Sequence, residues 1–373
     1  IPRRQRQMCI RDRSGKVMSV RKKIIVAMSG GVDSSTTAAL LLEQGHEVSG
    51  ITMQLWDYAD GETGCCSLND VFDARQAANQ IGIEHHVVNY KDDFQKYVVN
   101  DFINKYYNGQ TPNPCIMCNE YMKFDFLLKK SLELGADYLA TGHYAKISKN
   151  NNGNYFLEKG LDKFKDQSYF LFTLGNKELS KLLFPLGEFT KSRVREISEG
   201  FDLSVASKKE SQDVCFIAKD YRKFIEENSN YQEPKKGFIK NLEGKILGEH
   251  DGIHNFTIGQ RKKLGIDSKT AKYVVSINFK EFEVVVGDEK DLYADTLYAT
   301  NLNWSVDTDK LKNMDIKAKT RYRSPETPVD ISFINDQKIM VKFSKVQRAL
   351  TPGQAIVFYS GEKVLGGGWI NEV

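Results

Sequence analysis

Three groups of residues have the types and spacing that chemistry requires. The first is the run Ala27, Met28, Ser29, Gly30, Gly31, Val32, Asp33, Ser34 and Ser35. Paired glycines let a backbone bend sharply and approach an anion closely, and a turn that opens a helix aims free N–H groups at phosphate oxygens. Ser29, Ser34 and Ser35 add hydroxyl donors. Asp33 is the odd member, because a carboxylate repels phosphate; it fits if it orients a magnesium ion or the loop itself. The lysine and longer spacing of a kinase-type loop are missing. A tight strand-to-helix turn with nothing bound is the plainer alternative.

The second group is Cys115 and Cys118, spaced CxxC in Thr111–Asn119 (TPNPCIMCN). CxxC serves as half a zinc site, as an iron–sulfur ligand pair or as a reactive thiol. Cys65 and Cys66 are adjacent, a poor spacing for a second ligand pair, and the chain has no other CxxC. With Asn119 expected as a helix cap, a thiol just before that helix would gain thiolate character, so the spacing favours a reactive thiol over a metal. The third group is Cys215, alone in Ser211–Ile217 (SQDVCFI). A single cysteine ahead of Phe-Ile is most often an ordinary core residue.

Composition narrows the classes. At 373 residues the chain has room for two or three domains. No stretch reaches the length of a membrane span. The net charge of +4 misleads: residues 1–23 hold nine Lys/Arg and one Asp, and the remainder is acidic by four charges. Any nucleic-acid surface must therefore be a local patch. Six cysteines are too few for a disulfide scaffold and fit a reducing compartment. Residues 1–20 are basic, aperiodic and lack the amphipathic leucines of a transit peptide. We expect them to be a disordered or non-native leader, and the protein to be cytoplasmic, or in an organellar matrix if that leader is a transit peptide.

The elements that must position these residues follow from periodicity. Lys23–Ala27 is short, apolar and rich in β-branched residues, as in a buried parallel strand. A helix from Thr36 to Gln44 is closed by Gly45. His46–Trp56, Glu84–Tyr90 and Asp137–Thr141 read as further strands, and Asp93–Tyr107 and Glu120–Leu134 as helices. Ser67 to Asp70 has the capping-box form that starts a helix running to about Gln80. This alternation predicts an α/β fold, a doubly wound parallel sheet with ligands beyond the carboxyl ends of its strands. The glycine turn, Met53 and Gly142-His143 fall on that edge. A hairpin joins Ala145–Ser148 to Tyr155–Glu158 through Asn150–Asn154, and helical character is expected from Asp166 to about Phe201. Beyond Lys236 short strands alternate with glycine turns, and beyond Asp295 six alternating strands predict a small closed β-barrel. The expected division is a leader at 1–20, a catalytic domain at 21–218, a small mixed middle domain at 219–293 and the barrel at 294–373.

The SGGVDSS string resembles the PP-loop of ATP pyrophosphatases, enzymes that cut ATP to AMP and pyrophosphate. In chain order it is followed by TPNPCIMCN, by MKF at Met122–Phe124, by ATGHYAK at Ala140–Lys146, by KDQSYFL at Lys165–Leu171, by SQDVCFI, and by TPGQ at Thr351–Gln354. From about Lys22 to the C-terminus this resembles the tRNA-specific 2-thiouridylases, which thiolate the wobble uridine. The resemblance implies that ATP, with magnesium, is held by Ala27, Met28, Ser29, Gly30, Gly31, Val32, Asp33, Ser34, Met53 and Gly142. It implies adenylation of the uracil C2 oxygen, a persulfide on Cys215, and Cys118 as second catalytic cysteine, most simply leaving a Cys118–Cys215 disulfide. Asn113, Pro114 and Cys115 would touch the target base; many relatives have Asp at the position of Cys115. His143, Lys165, Asp166, Gln167, Arg321, Tyr322 and Gln354 would touch tRNA of the Lys, Glu or Gln type. A cysteine desulfurase or sulfur-relay protein would load the persulfide. No stable metal centre, no membrane and a monomer are expected.

Cys118 and Cys215 lie 97 positions apart, so a mobile segment hinged near Lys208–Ser211 is expected to deliver Cys215. Residues 310–349 carry ten Lys/Arg against four Asp/Glu, which gives the barrel a basic side. Tyr322, between Arg321 and Arg323, has the setting to stack on an unpaired base. Taken alone, these three residues are equally a solvated strand edge, and His143 an ordinary loop histidine. Other PP-loop enzymes, namely an amide-forming synthetase or an iron–sulfur thiolase, stay open, as does a non-catalytic tRNA-binding protein.

Overall fold

The computed structural model describes residues 21–56, 68–208, 214–217, 220–228 and 235–373. Its first sheet is built from β1 (Lys23–Ala27), β2 (Glu47–Gln54), β3 (Glu84–Asn89), β4 (Tyr138–Ala140) and β7 (Leu182–Leu183), in the order β3-β2-β1-β4-β7. Every pairing is parallel, as the βα alternation requires. Ile24, Val26 and Leu139 are fully buried, which matches strands covered on both faces. Helices α1 (Val32–Glu43) and α2 (Leu68–Ile81) pack their small residues Ala38, Ala74, Ala77 and Ala78 against one face. The expected cap at Ser67 lies outside the described residues.

The other face carries two long, irregular helical rods. The first runs through α3 (Lys91–Phe94), a π-helical stretch at Gln95–Val99 and α4 (Asn100–Tyr107). The second runs through α5 (Pro114–Met117), a π-helical stretch at Cys118–Leu127 and α6 (Leu128–Glu133). π-Helical turns of this kind concentrate at functional sites, and here one begins at Cys118.

One expectation is corrected. The chain from Asp166 to Phe201 is not one helical stretch. It is a short 3-10 turn at Ser168–Leu171, α7 (Asn176–Leu179), strand β7, a second 3-10 turn at Pro185–Glu188 and α8 (Lys191–Gly200). Gly175 and Pro185 interrupt it, and β7 completes the edge of the parallel sheet. The hairpin of β5 (Ala145–Lys149) and β6 (Tyr155–Lys159) joins the barrel sheet through Glu158 and Lys363, so the catalytic domain extends the sheet of the last one.

After α9 (Tyr221–Asn228), the middle domain is a four-stranded sheet of order β10-β11-β8-β9. Its strands are β8 (Gly237–Asn241), β9 (Ile246–His250), β10 (Tyr273–Asn278) and β11 (Glu283–Gly287). The six barrel strands are β12 (Tyr293–Trp304), β13 (Lys317–Lys319), β14 (Thr327–Asn335), β15 (Lys338–Arg348), β16 (Ala355–Ser360) and β17 (Lys363–Glu372). They close through β12–β17 pairing. Strand β13 ends at Lys319, because the Ser324 hydroxyl accepts from the backbone N–H of Thr320 and Arg321 and bends the chain, which leaves Arg321 and Tyr322 in a turn. The largest apolar cluster joins Ile51, Phe94, Met122 and Leu139 of the first domain to Ala355, Val357 and Tyr359 of the barrel. The two domains therefore share a core beneath the cysteine-bearing rod.

Candidate active site

The glycine turn sits between β1 and α1 and is shaped from all sides. Gly30 has φ +69°, and a Cβ there would lie 2.2 Å from the carbonyl oxygen of Asp70. Gly31 caps α1 with extended backbone, and the nearest atom to a Cβ there, Ser29 Oγ, is 3.6 Å away. The Ser34 hydroxyl accepts from the Ser29 N–H at 3.1 Å and donates to the Gly31 carbonyl at 3.3 Å. Below the turn, the Thr52 hydroxyl donates to the Met28 carbonyl at 2.6 Å, which leaves His85 Nε2–H to donate to Thr52 Oγ1 at 2.8 Å. His85 Nδ1 is buried without a partner, and desolvation holds the imidazole pKa down to about 4.

Asp33 is held by two residues from distant parts of the chain. The Tyr144 hydroxyl donates to it at 2.7 Å, and Lys191 Nζ reaches its two oxygens at 2.7 and 2.9 Å. A second lysine, Lys208, donates to the Gly30 carbonyl at 3.1 Å, to Asp70 at 2.8 Å and to Asp73 at 2.5 Å. Arg195 in turn donates to the carbonyls of Ala206 and Lys208. Sequence reading missed Lys191 altogether; a lysine one residue past the Thr190 cap of α8 gives no local sign that it meets a residue 158 positions earlier. Lys208 was read only as part of a hinge; the remaining hinge residues, Lys209 to Ser211, lie outside the described residues.

A cavity of about 350 Å3 opens above the turn. Ala27, Met28, Ser29, Asp33, Ser34 and Met53 line one side, with Thr141, Gly142 and His143 beside them. Gly30, Gly31 and Val32 belong to the turn but not to the cavity wall. Gly142 has to be glycine for the same reason as Gly30: a Cβ would stand 2.9 Å from the Asp33 backbone and 3.0 Å from the Ser34 nitrogen.

Pro114, Cys115, Cys118, Asn119 and Lys123 form the facing wall, and Val214, Cys215 and Phe216 complete it. The two expected catalytic cysteines thus face one cavity. Phe216, next to Cys215, is buried against Phe94, Phe102 and Phe224 at ring distances of 5.5, 5.4 and 5.2 Å. The aromatic residue supplies the core packing that the sequence offered for Cys215, and Cys215 is left half-buried at the cavity. The cap reading at Asn119 is corrected. The helix starts at Pro114 with Asn113 as its cap, because proline is tolerated in a first turn. Exposed Cys115 therefore holds the N-terminal position, where the helix dipole favours a thiolate, and Cys118 sits a turn further in. Asn119 lies inside the rod and donates to the Phe170 carbonyl at 3.2 Å. Cys9, Cys65 and Cys66 lie outside the described residues.

The residues expected to touch tRNA divide. His143 and Gln167 line the cavity. His143 is buried, 2.7 Å from the Thr141 hydroxyl, and burial holds its pKa well below 6.5, so it is neutral. The Gln167 carbonyl accepts from the Tyr144 N–H at 3.0 Å. Asp166 is buried and accepts from the N–H groups of Gly160 and Ser168 and from the Ser168 hydroxyl, so it clasps its own loop. Lys165 stands beside it, half-buried. Gln354 donates to the carbonyls of Thr111 and Pro112 at 2.9 and 3.0 Å, which ties the barrel to the Asn113–Pro114 turn. Arg321 donates to Ala349 and Thr351 at 2.8 and 2.7 Å and braces that same barrel loop. Tyr322 packs on Phe170, a cavity residue, at 4.5 Å. Among the described residues no group of three or more His, Cys, Asp or Glu side chains gathers as a metal site, and no helix is long and apolar enough to cross a membrane.

Fold and site together define a PP-loop protein: a nucleotide-binding parallel sheet with a glycine turn at its carboxyl edge, followed by two β domains. Three family descriptions match in order: the tRNA methyl transferase HUP domain at residues 22–219, the tRNA methyl transferase PRC-barrel domain at 222–288 and the aminomethyltransferase beta-barrel domain at 294–370. Curated relatives match along nearly the whole chain. The tRNA-specific 2-thiouridylase MnmA of Geotalea uraniireducens is 49% identical over 358 residues, covering 94% of this chain and 95% of the relative. Those of Geobacter metallireducens and Carboxydothermus hydrogenoformans are each 46% identical over 359 residues, covering 94% of this chain and 97% and 98% of the relatives. The chain belongs to the tRNA-specific 2-thiouridylase family.

Proposed function

We propose that this protein thiolates the wobble uridine of tRNA at C2 in two half-reactions that share the cavity. One observation carries the reading: Cys118 and Cys215, far apart in sequence, line the same cavity as the glycine turn. ATP would lie with its phosphates against the turn, where Ser29, Ser34 and the first amides of α1 offer donors. Asp33 is engaged by Lys191 and Tyr144, so magnesium would arrive on the triphosphate rather than wait on this carboxylate. The uracil C2 oxygen attacks the α-phosphorus and pyrophosphate leaves, which turns a poor leaving group into AMP.

The outer sulfur of a Cys215 persulfide then attacks C2 and AMP departs, leaving the base joined to Cys215 through a disulfide bond. The Cys118 thiolate attacks the Cys215 sulfur, releases the thiolated base and leaves a Cys118–Cys215 disulfide for an external thiol to reduce. Asn113, Pro114 and Cys115 form the turn against which the base would rest. His143, Lys165, Gln167 and Tyr322 surround the approach, with Asp166, Arg321 and Gln354 bracing the loops that carry them. The substrates would be tRNAs of the Lys, Glu and Gln type, and a cysteine desulfurase or relay protein would load Cys215.

Methyl transfer, named in the matched domain descriptions, leaves the paired cysteines and the pyrophosphatase-type turn without a task, whereas thiolation uses both. The test is incubation with tRNA, ATP, magnesium and a persulfide donor, followed by nucleoside analysis. 2-Thiouridine that appears only with ATP supports the reading; a methylated uridine, or none, sinks it.

A further inference from the structure

The turn at residues 161–165 is built to hold an aromatic ring in solvent. Phe164 is 95% exposed, the most exposed large apolar side chain described, and Leu161 beside it is 53% exposed. Isolated apolar surface residues are common, so exposure alone says little. What sets this turn apart is how firmly it is fixed and which way its charges point. Asp162 accepts from the Phe164 N–H at 3.0 Å and from the Lys191 N–H at 2.9 Å, which pins the turn to the start of α8. The Leu161 N–H donates to the Gly187 carbonyl at 2.8 Å. Asp166 closes the far side through Gly160 and Ser168. Both acids of the turn are thus spent on backbone amides, while Lys163 is exposed. The outward face is an exposed phenyl ring on a pinned backbone, beside an exposed lysine and three residues before the cavity-lining Gln167.

We propose that Phe164 is a stacking platform for an unpaired base of the tRNA, flanking the cavity that receives the target base. The inference rests on the thiouridylase reading and deepens it. Unpaired bases in RNA loops are held by aromatic rings, with neighbouring lysines on the phosphates. A ring carried on a turn whose backbone is already pinned spares the ordering of that turn on stacking. A base is favoured over a protein partner because the turn joins an apolar face to a cation and shows no outward acid.

The experiment is a binding titration of a tRNA transcript with an unmodified wobble uridine at several salt concentrations. Phe164→Ala should raise Kd about 5- to 30-fold, in the range of a lost base stack, and leave the salt slope unchanged. Phe164→Trp should stay within about twofold of the parent, and Phe164→Leu, which keeps apolar area but no ring, should behave like the alanine variant. Lys163→Ala should lower the salt slope by about one unit. The side chain is almost wholly in solvent, so folding should be intact. An unchanged Kd in Phe164→Ala, or full retention by Phe164→Leu, overturns the proposal. So does a variant that binds tRNA normally and is slowed only in sulfur loading from a donor protein. A parent that fails to bind tRNA at all would count against the thiouridylase reading itself.

Discussion

Lys191 Nζ stands 2.7 Å from one oxygen of Asp33 and 2.9 Å from the other, beside the glycine turn. The ammonium is buried and the carboxylate partly so. Removing the lysine leaves a negative charge facing the site where phosphates must lie. Lys191→Met is expected to raise the KM for ATP about tenfold, the equivalent of about 1.4 kcal/mol, with a smaller effect on stability because Tyr144 still donates to Asp33. Pyrophosphate release against ATP concentration measures it. An unchanged KM would remove Lys191 from the site.

Gly30 and Gly31 should respond differently although they are neighbours. Gly30→Val has to leave a φ of +69° and clear the Asp70 carbonyl, so it should destabilise the fold by roughly 1–3 kcal/mol and abolish ATP-dependent chemistry. Gly31→Ala meets only an ordinary contact, with Ser29 Oγ at 3.6 Å, so its melting temperature should match the parent while its KM for ATP rises, since a methyl group then stands where phosphate would approach. Thermal melts and pyrophosphate release on both proteins decide this. Full ATP turnover in Gly30→Val would be fatal to the assignment of the turn.

Cys118→Ser and Cys215→Ser should each stop 2-thiouridine formation without stopping pyrophosphate release, because no thiol is consumed in adenylation. Cys115→Ser should retain most activity, since Cys118 alone supplies the attacking thiolate. The two products are measured side by side in each variant. Thiolation at the parent rate by Cys215→Ser with a loaded donor would refute the relay. Joint loss of bound iron or zinc from Cys115→Ser and Cys118→Ser would make this pair a metal site instead.

Stability should fall on acidification through the histidine range. His46, His85, His143, His250 and His254 all have pKa values lowered by burial, His85 to about 4. Between about pH 4 and 6.5 the unfolded imidazoles bind protons that the folded ones refuse, so stability rises with pH across that window and levels off above it. Melting temperatures at pH 7 and pH 5 should differ by several degrees. His85→Gln should reduce the difference, with an expected contribution of about 1 kcal/mol after discounting for partial exposure. Equal melting temperatures at the two pH values would contradict the burial assignment.

The parallel sheet, the glycine turn at its edge and the closed barrel are legible in the order of residues alone. These rest on signals with a fixed period or a fixed backbone demand: β-branched runs at Lys23–Ala27, a positive φ that only glycine adopts readily at Gly30, and short alternating strands beyond Asp295. Cys118 and Cys215 are pointed to by the family resemblance alone, since by themselves they read as half of a CxxC and as a core cysteine. What lies between those marks depends on contacts made across the fold. Nothing local brings Lys191 to Asp33 or Lys208 to Gly30, since long flexible side chains meet their partners wherever the fold places them. Asparagine favours a helix cap, which points to Asn119 and a helix from Glu120, yet the helix starts six residues earlier, at Pro114. The resemblance assigns Asp166, Arg321 and Gln354 to tRNA, and the fold shows in addition that each hydrogen-bonds a loop beside the approach. Phe164 is the reverse case: an apolar residue that periodicity assigns to no face, and that only the pinned turn shows standing in solvent.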